Sequence, residues 1–241
     1  MVPRIHVFLN QLTKGHIAAP RAPVPSPPLH VVLVHAHPLR DSFSRCLADA
    51  THEGLQAGGH TVERIDLYGT HGTFQPALTP DERAHYFGLP GGAGYPVPSP
   101  DVQPHVDALK RADALVFVYP TWWFNVPAVL KGFIDRTFLP GVAFRMSSAT
   151  DDPESHEAGS TGLIPGLANI KKLACVSTYG CTQRITFLAG DNGRNMFTRG
   201  VLPCFSPMCT VLWLGLYDMD NLDDASRRHF VDAVRSRFTR F

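Results

Sequence analysis

Two short segments of this 241-residue chain combine ligand-holding residue types with a spacing that would bring them together. In "HAHPLRDSFS" (35–44) the hydroxyls of Ser42 and Ser44 and the imidazole of His37 stand where a strand gives way to a helix. The unpaired amide N–H groups and positive dipole end of a helix start hold anions such as phosphate. In "PTWWFN" (120–125) Trp122, Trp123 and Phe124 follow a strand and precede a helix, and large rings at such a turn offer flat faces to a flat ligand. Rings beside a strand end are also common core residues, but three in succession cannot all point inward.

Other chemistries find no support. Neither GxxxxGK(S/T) nor GxGxxG follows a strand: "GGAG" (91–94) falls in a loop and Lys131-Gly132 inside a helix, so phosphoryl transfer is not expected. A phosphate held by a helix end without that lysine is a handle on a cofactor rather than a group to be transferred. His35 and His37 alternate like a metal pair but lack a third ligand nearby, so no metal is expected. There is no GxSxG elbow, and Cys181 after "STYG" has no histidine beside it in sequence, which leaves a covalent nucleophile poorly supported.

The elements that must position these residues follow from hydrophobic period. "LHVVLVHA" (29–36), "HTVERIDLY" (60–68), "ADALVFVYP" (112–120), "KLACVSTYG" (172–180) and "CTVLWLGLYD" (209–218) read as strands, the second alternating like an edge and the third and fourth buried on both faces. Phe43, Cys46, Leu47, Ala50 and Gly54 lie at helical spacing behind an Asp41 or Ser42 cap. Val126, Val129, Leu130, Phe133, Ile134 and Thr137 form a stripe that packs on the sheet. A last helix starts near Asp223 and Asp224, buries Phe230, Val231, Val234 and Phe238, and ends among Arg235, Arg237 and Arg240. Such alternation predicts an α/β doubly wound parallel sheet of order 2-1-3-4-5, with its ligand crevice beyond the carboxyl ends of strands one and three.

The 22 basic and 21 acidic residues leave a net charge of +1, which gives no reason to expect nucleic acid or an anionic membrane as partner. Five scattered cysteines without a CxxC suggest neither a disulfide framework nor a zinc cluster, and a reducing cytoplasmic setting is expected. No apolar run approaches the roughly 18 residues of a membrane span, and "MVPRIHVFLNQLTKG" lacks a signal-peptide cleavage pattern. Residues 1–40 carry no acidic side chain but include the proline-rich "AAPRAPVPSPP", so 1–28 is expected to be a disordered extension before one domain, 29–241. Two long interruptions, 70–100 and 139–167, read as functional covers or disordered segments. Their Phe74, Tyr86, Phe87, Tyr95 and Phe144 are more apolar surface than one small domain hides, which points to a homodimer.

"VLVHAHPLRDSFS", "DLYGTHGTFQPAL", "VFVYPTWWFNVPAVLKGFIDRTFLPGVAF" and "STYG" resemble, in order and spacing, the flavodoxin-like NAD(P)H:quinone oxidoreductase family from about residue 30 to the end. The resemblance implies a dimeric flavoprotein that passes two electrons from NAD(P)H to a quinone in a ping-pong cycle. By matching positions it implies that His37, Ser42, Phe43 and Ser44 hold the phosphate or adenylate part of the flavin, Ser44 replacing a common asparagine. Pro120, Thr121, Trp122, Trp123 and Phe124 would line the isoalloxazine, and Ser177, Thr178, Tyr179 and Gly180 its pyrimidine edge. Trp123 and Tyr179 are the residues expected closest to the chemistry, and FAD is favoured over FMN.

One departure qualifies the match. Quinone reductases of this family carry a tyrosine and a histidine after the "STYG" position, and "CTQRITFLAGDNGRN" (181–195) has neither at matching places, which puts the proton route and acceptor in question. Two alternative readings stay open: a flavin enzyme whose acceptor is an azo, nitro or ferric compound, and a flavodoxin-like regulatory subunit such as those of potassium efflux systems, which resemble this family too. Backbone N–H groups of the "STYG" turn would meet negative charge at the flavin edge, so no side-chain base is required.

Overall fold

The computed structural model describes residues 27–69, 72–87, 94–146 and 163–241. The expected extension 1–28 lies outside the described residues apart from Pro27 and Pro28. In chain order the elements are β1 (His30–His35), α1 (Phe43–Ala57), β2 (Thr61–Asp66), α2 (Pro80–Ala84), α3 (Gln103–Arg111), β3 (Ala114–Pro120), α4 (Ala128–Thr137), β4 (Lys172–Thr178), α5 (Gln183–Leu188), α6 (Asn192–Asn195), β5 (Thr210–Leu216) and α7 (Asp224–Phe238). The five strands of the main sheet are all parallel and stand in the order β2-β1-β3-β4-β5, the doubly wound arrangement expected of a flavodoxin-like fold.

The pleat explains the two layers of core. Along β3, Ala114, Val116 and Val118 face one layer with Leu47, Leu55, Phe230 and Val234 of α1 and α7. Leu115, Phe117 and Tyr119 face the other with Leu109 of α3 and Leu130 and Phe133 of α4. All seven residues of β3 are buried, as a central parallel strand requires, whereas β2 at the edge stays half-exposed. The stripe from Val126 to Thr137 is buried throughout. Ser42, not Asp41, caps α1, and Asp223 caps α7. Cys46, expected on the inner face of α1, is exposed; Leu47, Ala48, Thr51 and Leu55 fill that face.

The described residues of the two interruptions lie over the core as cover. Within 70–100, α2 opens on a reciprocal cap in which Thr79 Oγ1 accepts from the Glu82 amide at 3.1 Å and Glu82 Oε2 accepts from the Thr79 amide at 2.8 Å. Arg136, near the end of α4, holds this cover down. Its five N–H groups go to Glu82, Asp101 and the Gln75 carbonyl, and its guanidinium lies 5.4 Å from the centroid of the Phe74 ring. Gly132 lets the cover come this close, since a Cβ there would collide with Pro76. Phe74 is buried between His105 and Phe133, while Phe87 and Tyr95 remain exposed. Within 139–167, Phe144–Met146 pairs antiparallel with Leu163–Pro165.

Candidate active site

Three chain segments meet at the carboxyl end of the sheet, on either side of the point where strand order reverses. Ala36 donates its amide to the Val118 carbonyl at 3.1 Å, keeping the loop after β1 against β3. Thr121 donates its amide to the Thr178 carbonyl at 2.8 Å, and its Oγ1 lies 3.0 Å from Ser177 Oγ, which joins the loops after β3 and β4. Side chains close the remaining gap: the His37 and Trp122 ring centroids are 6.1 Å apart.

The first segment ends in the start of α1. Ser42 Oγ accepts from the Arg45 amide at 3.2 Å, fixing the helix start, and no acidic residue lies in the first turn to neutralise it. The amides of Phe43 and Ser44 stand in that turn, where no intrahelical acceptor exists. Leu39 donates its amide to His37 Nδ1 at 3.0 Å, so the neutral ring carries its hydrogen on Nε2 and presents a donor. Phe43 is half-buried against the core of α1 and α7. The Ser44 hydroxyl, expected to add a donor, is buried and lies 3.3 Å from His35 Nε2; that leaves the Ser44 amide to face the crevice. Burial pushes the His35 imidazole down to about 4, against an upward pull from Asp66 and with further downward pushes from Arg64, Arg45 and His37, so it is neutral near pH 7.

The second segment is the aromatic turn. Trp122 and Asn125 exchange two backbone hydrogen bonds of 3.0 Å, and the two residues between them are left-handed, with φ of 50° at Trp123 and 57° at Phe124. Positive φ at both central positions is the type I′ pattern, normally filled by asparagine and glycine. Each bulky residue there costs about 1–2 kcal/mol, and strain of this kind collects at functional sites. Nor does the turn bury its rings. Trp123 is 95% exposed and Trp122 39%, while Phe124 is half-buried. Pro120 is buried at the root of the turn, and Asn125 Oδ1 accepts from the Val126 amide at 2.8 Å where the chain enters α4.

The third segment presents backbone rather than side chains. Ser177 and Thr178 are buried. Tyr179 is only 3% exposed: its ring stacks on Tyr217 at 4.3 Å and 15°, and its hydroxyl donates to Asp191 Oδ1 at 3.2 Å. Burial, with Tyr217 and Asp191 beside it, raises the Tyr179 phenol well above its ordinary range. The Tyr179 amide goes to the Leu216 carbonyl at 2.8 Å, which leaves the amides of Gly180 and Cys181 without an acceptor among the described residues. Gly180 is exposed at the crevice. The structure thus brings together His37, Trp122, Thr121, Ser177 and the Gly180 amide, and turns the Tyr179 side chain away. Asp191 carries no signal in the sequence, since it lies in no motif, and nothing in the tail around Tyr217 marks it as a partner of Tyr179.

Residues 29–201 match a family described as having a flavodoxin-like fold. An uncharacterized NAD(P)H oxidoreductase, YcaK, of Escherichia coli strain K12 is 36% identical over 114 residues, covering 47% of this chain and 55% of that protein. The chain therefore spans little more than half the length of this relative. A ribosyldihydronicotinamide dehydrogenase (quinone) of Pongo abelii is 32% identical over 175 residues, 68% of each protein. Among solved structures, an NAD(P)H:quinone oxidoreductase from Methanothermobacter marburgensis shares 30% identity and a TM-score of 0.64, covering 88% of this chain and 96% of that one. The chain belongs to the flavodoxin-like family of NAD(P)H:quinone oxidoreductases.

Proposed function

We propose that the protein is a flavin-dependent oxidoreductase that takes two electrons from NAD(P)H and passes them to a quinone or similar small acceptor. One observation carries this reading: Trp123 and Phe124 are held left-handed in a strained turn, with the Trp123 ring almost fully exposed, at the mouth of the crevice. Such strain and exposure have no use in the fold and are suited to a planar ligand. The residues fit a flavin nucleotide: the start of α1 with the His37 Nε2–H for the phosphate end, the rings for the isoalloxazine, and the Gly180 and Cys181 amides for its electron-rich edge. FAD is favoured over FMN.

Hydride acceptance and release are the flavin's own chemistry when it is bound. The chain's residues bind, orient and exclude water. His37 and the amides of Phe43 and Ser44, with Ser42 holding the turn, anchor the nucleotide. Pro120, Thr121, Trp122, Trp123 and Phe124 form one wall, and Trp123 borders a single slot used in turn by nicotinamide and acceptor. Ser177, Thr178, Tyr179 and Gly180 form the wall opposite, through their backbone. The active form is a cytoplasmic homodimer, in keeping with the exposure of Ile185, Phe187 and Leu188 on α5 near this site. Steady-state NAD(P)H oxidation by protein supplied with FAD or FMN tests the shared slot: double-reciprocal plots at several quinone concentrations should be parallel, and intersecting lines would mean that both substrates bind at once.

A further inference from the structure

Asp191 lies outside every motif, yet it sits where the third segment is anchored. It follows Gly190 (φ 95°) and is itself left-handed (φ 43°, ψ 50°), so two successive turned residues redirect the chain after α5 toward Tyr179. Both sides of its backbone are held: its amide donates to the Thr186 carbonyl and its carbonyl accepts from the Asn195 amide, each at 3.0 Å. One carboxylate oxygen accepts from the Tyr179 hydroxyl at 3.2 Å and the other lies 3.8 Å from the Arg194 guanidinium. Burial raises the Asp191 carboxyl above its ordinary range, only partly offset by Tyr179 and Arg194. A hydrogen bond to an ionised acceptor is stronger than one between neutral groups.

Tyr179 is therefore gripped at four places. Its amide donates to the Leu216 carbonyl at 2.8 Å and its carbonyl accepts from the Met219 amide at 3.0 Å. Its ring lies on Tyr217, and its hydroxyl on Asp191. The next two amides in the chain, those of Gly180 and Cys181, have no acceptor among the described residues and belong to the crevice wall. We propose that Asp191 is a positioning residue of the site: through the Tyr179 hydroxyl it fixes the direction in which Gly180 and Cys181 present their amides. This role rests on the flavin reading for its ligand but not for its geometry.

The test compares the full-length wild type with Asp191→Asn, Asp191→Ala, Tyr179→Phe and the double Tyr179→Phe/Asp191→Ala variant. Three readouts are taken: amide hydrogen exchange over residues 179–182 without cofactor, FMN and FAD affinity by flavin fluorescence, and melting temperature. Asp191→Ala and Tyr179→Phe should each speed exchange and weaken flavin binding by about tenfold, as loss of a hydrogen bond to a charged group does. The double variant should be no worse than either single one. Asparagine, which tolerates the left-handed backbone and can still accept from the phenol, should recover most of both properties. Unchanged exchange in Asp191→Ala, multiplying effects in the double variant, or a lower melting temperature with unaltered flavin affinity would each overturn the assignment. If wild type takes up neither flavin while exchange follows the expected order, the flavin reading fails and the Asp191–Tyr179 clamp stands.

Discussion

The imidazole of His37 and the indole of Trp122 leave different strands yet stand 6.1 Å apart, tilted by 59°. This contact joins the anion-holding start of α1 to the aromatic turn after β3, so a nucleotide and a ring system can be held by one crevice. His37 is half-buried and its Nδ1 is occupied by the Leu39 amide, so its remaining donor is free to serve a ligand. His37→Ala should weaken flavin binding by about tenfold, as removal of a charge-assisted hydrogen bond does, while stability changes by no more than about 0.5 kcal/mol. Fluorescence titration beside urea unfolding checks both halves; a large loss of stability with intact flavin affinity would assign His37 to the fold instead.

Trp123 offers a cleaner separation of strain from function. Being 95% exposed, it contributes almost no packing, yet it occupies a left-handed position that asparagine fills readily. Trp123→Asn should stabilise the isolated protein by about 1 kcal/mol, raising the melting temperature by roughly 2–4 °C, while flavin retention and NAD(P)H oxidation fall. A variant that melts lower than wild type would show that the ring supports the fold.

Arg136 predicts an acid-sensitive cover. Burial pushes the Glu82 carboxyl up, but hydrogen bonds from Arg136, Ser99 and the Thr79 amide, together with the Arg136 charge, outweigh it and hold it at about 2. A carboxyl depressed on folding adds stability above its unfolded value, near 4.5, and that stability is lost as pH falls toward about 2. Acid unfolding should flatten in this window for Glu82→Gln. Arg136→Met, which strips the partner from a carboxylate only 11% exposed, should cost about 3–5 kcal/mol at pH 7. Unaltered urea midpoints would remove the cover from the account of stability.

His35 acts in a separate and higher window. Its folded value near 4 lies below the ordinary 6.5, so between these values the unfolded chain binds the extra proton and stability falls as pH falls. Urea unfolding between pH 7 and pH 4 should show this slope in wild type and a shallower one in His35→Gln. Equal slopes would mean that His35 is solvated in the native state.

The sheet order was legible because parallel strands buried on both faces leave long apolar, β-branched runs, and the caps Ser42 and Asp223 mark helix starts by side-chain chemistry alone. The Arg136 clamp was not, since it joins α4 to residues 54 and 61 positions away, a separation that no local period records. At the site, three consecutive rings already required at least one to face outward. That the turn is left-handed at Trp123 and Phe124, leaving the Trp123 ring almost wholly exposed, could not be read from residue types that avoid this backbone. The burial of Tyr179 was illegible for the same reason as the clamp: Asp191 and Tyr217 decide it from 12 and 38 positions further along the chain.

The most direct measurement is a pair of anaerobic half-reactions followed by absorption spectroscopy. Protein loaded with flavin should lose its yellow colour on mixing with NADH or NADPH in the absence of quinone, and regain it when quinone is added after the nicotinamide has been consumed. The two steps, each complete without the other substrate, are what one shared slot beside Trp123 requires. A protein that stays colourless after exposure to both FAD and FMN, or one whose bound flavin is not bleached by either nicotinamide, would contradict the proposed function.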